Sequence, residues 1–161
     1  MKAPELLTRY KAGERSFRET DLSGADLNGV NLSETSLHKV NLVHADLSGS
    51  NLSRADLSQA NVSGAKLCNS DLCGTNLTEA NLSEADLKGA DLRGAILARA
   101  DLVGADLAWT DLRNASLVGV DLRKTVLTAA RLAEADLSGV AMREGNLAGA
   151  DLSGVNLSGF D

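Results

Sequence analysis

The sequence predicts a repeating coil, and three observations carry that prediction. A large apolar residue recurs every five residues from Phe17 through Leu22 and Leu27 to Leu152 and Leu157, which makes 29 consecutive quintets. Twenty-six of these centres are Leu, and the other three, Phe17, Val62 and Met142, are also apolar. The position two before each centre is small: of the 28 from Thr20 to Val155, fifteen are Ala, and Val, Thr, Ser and Gly145 supply the rest. All fourteen aspartates of the chain, from Asp21 to Asp161, fall in the register of the position just before a centre, Asp161 after the last centre, and that position is shared mainly with Asn.

A period of five fits neither the 3.6 of an amphipathic helix nor the 2 of a half-buried strand, so both ordinary readings fail. One large and one small inward position per quintet can fill a narrow interior, while the other three positions face water. The Asx position suits a chain that turns in every quintet, because Asp and Asn side chains bond nearby backbone and stabilise tight turns. Glycine clusters two after the centre, at Gly24, Gly29, Gly49, Gly64, Gly74, Gly89, Gly94 and Gly104. A type II turn needs positive φ there, which glycine adopts without steric cost.

These residues carry a resemblance. Runs such as Ala85-Asp86-Leu87-Lys88-Gly89 match the A(D/N)LXX motif, and the chain resembles the pentapeptide repeat family over about 145 of its 161 residues. The resemblance implies an all-β fold, a right-handed quadrilateral parallel β-helix with four quintets per coil of about twenty residues. Twenty-nine quintets then make about seven coils. With parallel-strand spacing of about 4.8 Å, that is a rod roughly 35 Å long.

The expected organisation is an N-terminal cap over 1–16 and the repeat over 17–161. Pro4 to Lys11 reads as a short capping helix, with proline in its first turn, Gly13 as its stop, and Leu6, Leu7 and Tyr10 on one side. A cap is expected because an open end exposes both the Leu interior and unpaired strand edges. The stretch from Leu6 to Arg15 also resembles the caps of cyanobacterial members of the family. At the other end the repeat runs out to Leu157 and Phe160, with Phe160 in a position otherwise kept small. Its ring either plugs the last coil or meets a second copy, as in family members that dimerise through their C-terminal coils.

Composition narrows function more than it defines it. A net charge of -6 and a pI near 4.9 argue against direct binding to nucleic acid or an anionic membrane. No apolar run suggests a signal peptide or a membrane span, so a cytoplasmic protein is expected. Cys68 and Cys73 hold the same quintet position one repeat apart, which should point them outward on successive faces as free thiols. His38 and His44 fall on adjacent faces with no further ligand at metal spacing, and the glycines repeat at the structural period instead of forming a phosphate-cradling loop. No catalytic residue, cofactor or metal site is expected.

Partner information should therefore lie where outward residues break the motif. Residues twenty apart lie one above the other. On the face centred on Leu107 and Leu127, the outward residues include Ala108, Trp109, Val126 and Ala129, with Trp109 the only tryptophan and Val126 replacing an Asx. Ile96 makes a similar replacement on another face, near Ala98 and Val118. Arg93 and Arg113 stack one coil apart, and Arg131 replaces the usual acid on the next coil. Asp71, Asp91 and Asp111 form a ladder beside them that can neutralise them. A second basic run is Arg123, Lys124 and Arg143.

Two functions follow as expectations. One is a non-catalytic interaction module, a rigid rod showing Trp109 and its neighbours to an unidentified protein, as the resemblance to cyanobacterial members in signalling or developmental control implies. The alternative is DNA mimicry: some members of the family resemble B-DNA in width and charge and bind DNA gyrase. The acidic ladder favours this alternative. The modest charge, the interrupting arginines and the lack of a looped insertion weigh against it.

Overall fold

A computed structural model describes residues 1–142, 147–156 and 158. Each quintet is extended through its centre and then turns. The N–H at the small position bonds back to the centre's carbonyl, as from Ala85 to Leu82 at 3.1 Å and from Ala90 to Leu87 at 3.0 Å. Positive φ falls at the glycine position of each turn, 65° at Gly89, and not at the residue before it. That pattern is the type II turn. Every described residue at this position shares it, glycine or not, from Glu19 at 54° to Glu134 at 61°.

The Asx residues close these turns as their chemistry suggests. The Oδ1 of Asn81 accepts the N–H of Ser83 at 3.0 Å, and that of Asp86 accepts the N–H of Lys88 at 3.2 Å. Parallel bridges join Asx positions twenty residues apart, from Ser16 with Ser36 to Asp136 with Asn156. One circuit therefore takes four quintets. Each side bonds the next through its main chain: Leu87 N–H to Asp106 O at 2.8 Å, Gly89 N–H to Ala108 O at 3.0 Å, and Asp106 N–H back to Ala85 O at 2.9 Å.

The interior follows the five-residue pattern. Phe17 and the centres from Leu22 to Leu137 are buried, as are the small positions from Thr35 to Val140. Burying each Leu contributes about 1.5 to 3 kcal/mol. Inner hydroxyls bond local carbonyls, Ser70 to Leu67 at 2.8 Å and Thr110 to Leu107 at 2.7 Å. Ser50 Oγ is the described exception, buried without a partner.

Helix α1 spans Ala3–Lys11, starting one residue ahead of the stretch the sequence suggested. Its end is a Schellman motif: Gly13 N–H bonds Tyr10 O at 2.9 Å and Glu14 N–H bonds Arg9 O at 3.0 Å, with φ +95° at Gly13. Leu6 is wholly buried against the first coil, while Leu7 and Tyr10 are half-buried. Arg9 bonds Glu14 through Nε at 2.7 Å and lies 5.6 Å from the centre of the Phe17 ring. Arg15 covers Tyr10 at 3.9 Å. Toward the other end the core opens, with Met142 and Leu147 half-buried and Leu152 38% exposed. Leu157, Phe160 and Arg143 lie outside the described residues, and so do both roles considered for Phe160. No helix among the described residues is long and apolar enough to cross a membrane.

Candidate partner-binding surface

Trp109 stands at the glycine position of its quintet, where the turn forces φ to 58°. A bulky residue in this left-handed region is conformationally costly. The row it belongs to is otherwise low, with Gly89 one coil before it and Ala129 one coil after. Its N–H bonds Thr128 O at 2.9 Å, so the backbone stays in register while the indole projects. The residue is 63% exposed.

Val126 and Ala129 are half-buried one coil further on, with Thr128 between them. Val126 keeps the main-chain pairing, donating to Ala105 O at 3.1 Å and accepting from Leu107 N at 2.8 Å. It cannot supply the Asx bond that Asp106 gives to Ala108 N–H at 3.0 Å one coil earlier. The substitution therefore gives up a turn-stabilising bond for an apolar surface atom set. Ala108 needs a correction. It holds an outward position but is only 4% exposed. It supports the surface from beneath and offers little contact area of its own. On another face Ile96 is 45% exposed and Val118 39%, with half-buried Ala98 one coil before Val118 in the same row.

The arginines do not stand as free cations. Arg93 grips Asp91 through Nε at 2.8 Å and Nη2 at 2.6 Å. Arg113 grips Asp111 in the same way, at 2.8 and 2.7 Å, and Arg131 reaches Asp111 Oδ2 at 3.1 Å from the next coil. These guanidinium bonds hold the carboxyls of Asp91 and Asp111 below the usual carboxylate range, and raise Arg93 and Arg113 in turn. Arg123 pairs likewise with Asp121. Such partly exposed pairs each contribute under about 1 kcal/mol. The sequence brings Arg93, Arg113 and Arg131 to one face beside Trp109, but it brings their counter-ions too.

Elsewhere, both cysteines are free and half-buried. Burial pushes the Cys68 thiol up to about 11, with the nearby Asp86 adding to the effect. His38 Nδ1 lies 2.9 Å from Ser58 Oγ, and His44 Nδ1 3.4 Å from Gly64 O. Among the described residues no three His, Cys, Asp or Glu side chains come together as a metal site would require.

A model of the family described as Pentapeptide repeats matches the chain in 8 copies, over residues 16–54, 55–94, 90–128 and 121–159. A comparison with curated proteins gives no match. Among solved structures the chain is similar to HetL, a pentapeptide repeat protein involved in heterocyst differentiation regulation in the cyanobacterium Nostoc sp. strain PCC 7120. Identity is 28%, covering 99% of this chain and 94% of that one, with a TM-score of 0.45. A second pentapeptide repeat protein from Nostoc PCC 7120 shares 26% identity, covering 93% and 94% of the two chains, at a TM-score of 0.44. A trypsin-treated form of QnrB1, a plasmid-mediated fluoroquinolone resistance protein, shares 21%, covering 90% and 81%, at a TM-score of 0.43.

Proposed function

The chain belongs to the pentapeptide repeat family, whose known structures are right-handed quadrilateral β-helices, and from that premise we propose that it is a non-catalytic protein-interaction module. In this reading about seven coils form a rigid cytoplasmic rod that presents side chains to a protein partner in signalling or regulation. Trp109 carries the reading: an indole 63% exposed, in a costly backbone conformation, with Ala129 one coil on in its row and Val126 on the same side of that next coil. A large exposed aromatic with apolar neighbours is the usual anchor of a protein interface. Arg93, Arg113 and Arg131, already paired, form a polar rim that gives direction to docking more than affinity.

The test is affinity capture from a lysate of the source organism, with the natural protein and a Trp109→Ser, Val126→Ser double variant as baits. A partner retained by the natural protein and lost from the variant is the expected result. Equal retention by both baits would remove the Trp109 surface from the account.

A second reading, DNA mimicry toward DNA gyrase, is favoured by one observation: Asp71, Asp91 and Asp111 bridge one another directly, an acidic ladder along one face. Against it, Arg93, Arg113 and Arg131 occupy the carboxylates of two of the three rungs. Gyrase subunits held equally by both baits would favour this second reading.

A further inference from the structure

We propose that the N-terminal edge of the coil stack, on the side running from Asp26 to Asn28, takes a short extended segment of a partner polypeptide as one further rung.

The inner sides define what such a rung requires. One coil on, Asp46 N–H donates to Ala25 O at 2.9 Å, Asp46 O accepts from Leu27 N–H at 2.7 Å, and Ser48 O accepts from Gly29 N–H at 2.9 Å. Each side thus turns one donor and two acceptors toward the coil before it. The equivalent groups on the first side, Asp26 N–H, Asp26 O and Asn28 O, have no preceding coil, and no group of the described chain bonds them. The flanking sides differ, because the cap reaches them: Met1 N bonds Asp21 O at 2.8 Å and Tyr10 Oη lies 3.5 Å from Ser33 O. The cap thus bonds one group on each flanking side, whereas on the side between them no group of the described chain bonds any of the three.

The surroundings suit a chain in place of a water layer. Leu7 of α1 is half-buried and lines a groove on each flank. One, of about 460 Å³, continues along Pro4, Ala25 and Asp26; the other, of about 280 Å³, continues along Tyr10, Val30 and Asn31. An occupant must offer a carbonyl and two N–H groups in extended spacing and parallel direction, continuing the coil-to-coil pairing already present. A helix has no such groups free. Unpaired edges of this kind accept an added strand, with the main chain supplying attraction and alternate side chains supplying selectivity. The residue facing inward would meet Leu7, so a small or apolar side chain belongs there. This site lies four coils from Trp109 and does not depend on the reading given above.

The experiment uses the full chain, 15N-labelled, and a capped peptide with the chain's own rung sequence, Ala-Asp-Leu-Ser-Gly-Ser as in residues 45–50. Titration should move the Asp26 and Asn28 amide signals saturably, slow exchange of the Asp26 amide at least tenfold, and leave the Trp109 indole signal in place. The same peptide N-methylated at its Leu and Gly should do none of this, since those two N–H groups are the donors to Asp26 O and Asn28 O. An N-methylated peptide that acts equally well, shifts confined to other parts of the chain, or an unmoved Asp26 amide up to the solubility limit would each overturn the proposal.

Discussion

His44 folds its imidazole over Gly64, the residue at the same position one coil on, and the ring has room only because residue 64 has no side chain. A Cβ there would stand 2.6 Å from the ring's Cε1. Asn69 sits on Gly89 in the same way, its Oδ1 2.6 Å from where a Cβ would be. At these two corners a large residue is accommodated by a glycine one coil on, whereas Gln59, Glu79 and Arg99 stack by bonding one another.

That accommodation can be measured. Gly24 has the same positive φ but nothing within 4 Å of a built Cβ, so Gly24→Ala should cost about 1 to 2 kcal/mol from backbone conformation alone. Gly64→Ala should cost clearly more in urea unfolding. In a His44→Ala background it should fall back to the Gly24 value. Equal costs for Gly24→Ala and Gly64→Ala in the natural background would mean that the ring simply swings away.

The inward and outward assignments predict a large contrast within one coil. Leu87 is fully buried, so Leu87→Ala should cost about 2 to 5 kcal/mol through lost burial and the cavity left behind. Arg93 is exposed and, among the described residues, forms an ion pair only with Asp91, so Arg93→Ala should cost under about 1 kcal/mol. Similar losses of melting temperature in the two variants would contradict the packing described.

Buried hydroxyls give a finer test. Ser50 Oγ has no partner, so Ser50→Ala should leave stability unchanged or raise it. Ser70 Oγ bonds Leu67 O at 2.8 Å, and Ser70→Ala should cost about 0.5 to 1.5 kcal/mol. A loss at Ser50 matching that at Ser70 would reveal a hydrogen bond to the Ser50 hydroxyl.

Much of this was legible in the sequence, because the quintet is itself the structural unit: Leu87 is inward and Asp86 caps a turn for reasons visible in five residues. Vertical relations were less legible. Ala108 looks outward by position, yet it is only 4% exposed in the folded chain. The glycine position suggested a demand for positive φ, but that Trp109, His44 and Ala129 all comply shows that the turn, not the residue, imposes it. Arg131 could be placed near Asp111 by counting, whereas its distance of 3.1 Å and the double grip of Arg113 on the same carboxylate depend on side-chain rotamers that spacing does not fix.

Acid should loosen the rod. Asp46, Asp91, Asp111 and Asp121 are held below their ordinary range, mainly by Ser48, Arg93, Arg113 and Arg123 respectively. A carboxyl whose folded value lies below the unfolded one, near about 3.9, stabilises the fold fully above that pH and loses the contribution as pH falls through the folded value. The melting temperature should stay level from about pH 7 to 5 and drop below about pH 4. Asp111→Asn should start lower and show a smaller acid drop. An acid drop of undiminished size in that variant would remove Asp111 from the account.

The most direct measurement of the central claim uses Trp109 as its own reporter, since it is the only tryptophan. A partner recovered by affinity capture and selected for lacking tryptophan, or carrying a spectroscopically distinct analogue, is titrated into the natural protein while indole emission and acrylamide quenching are followed. The account predicts a saturable shift of the emission to shorter wavelength and several-fold protection from acrylamide as the ring leaves water. Binding that saturates while emission and quenching stay as in the free protein would contradict it.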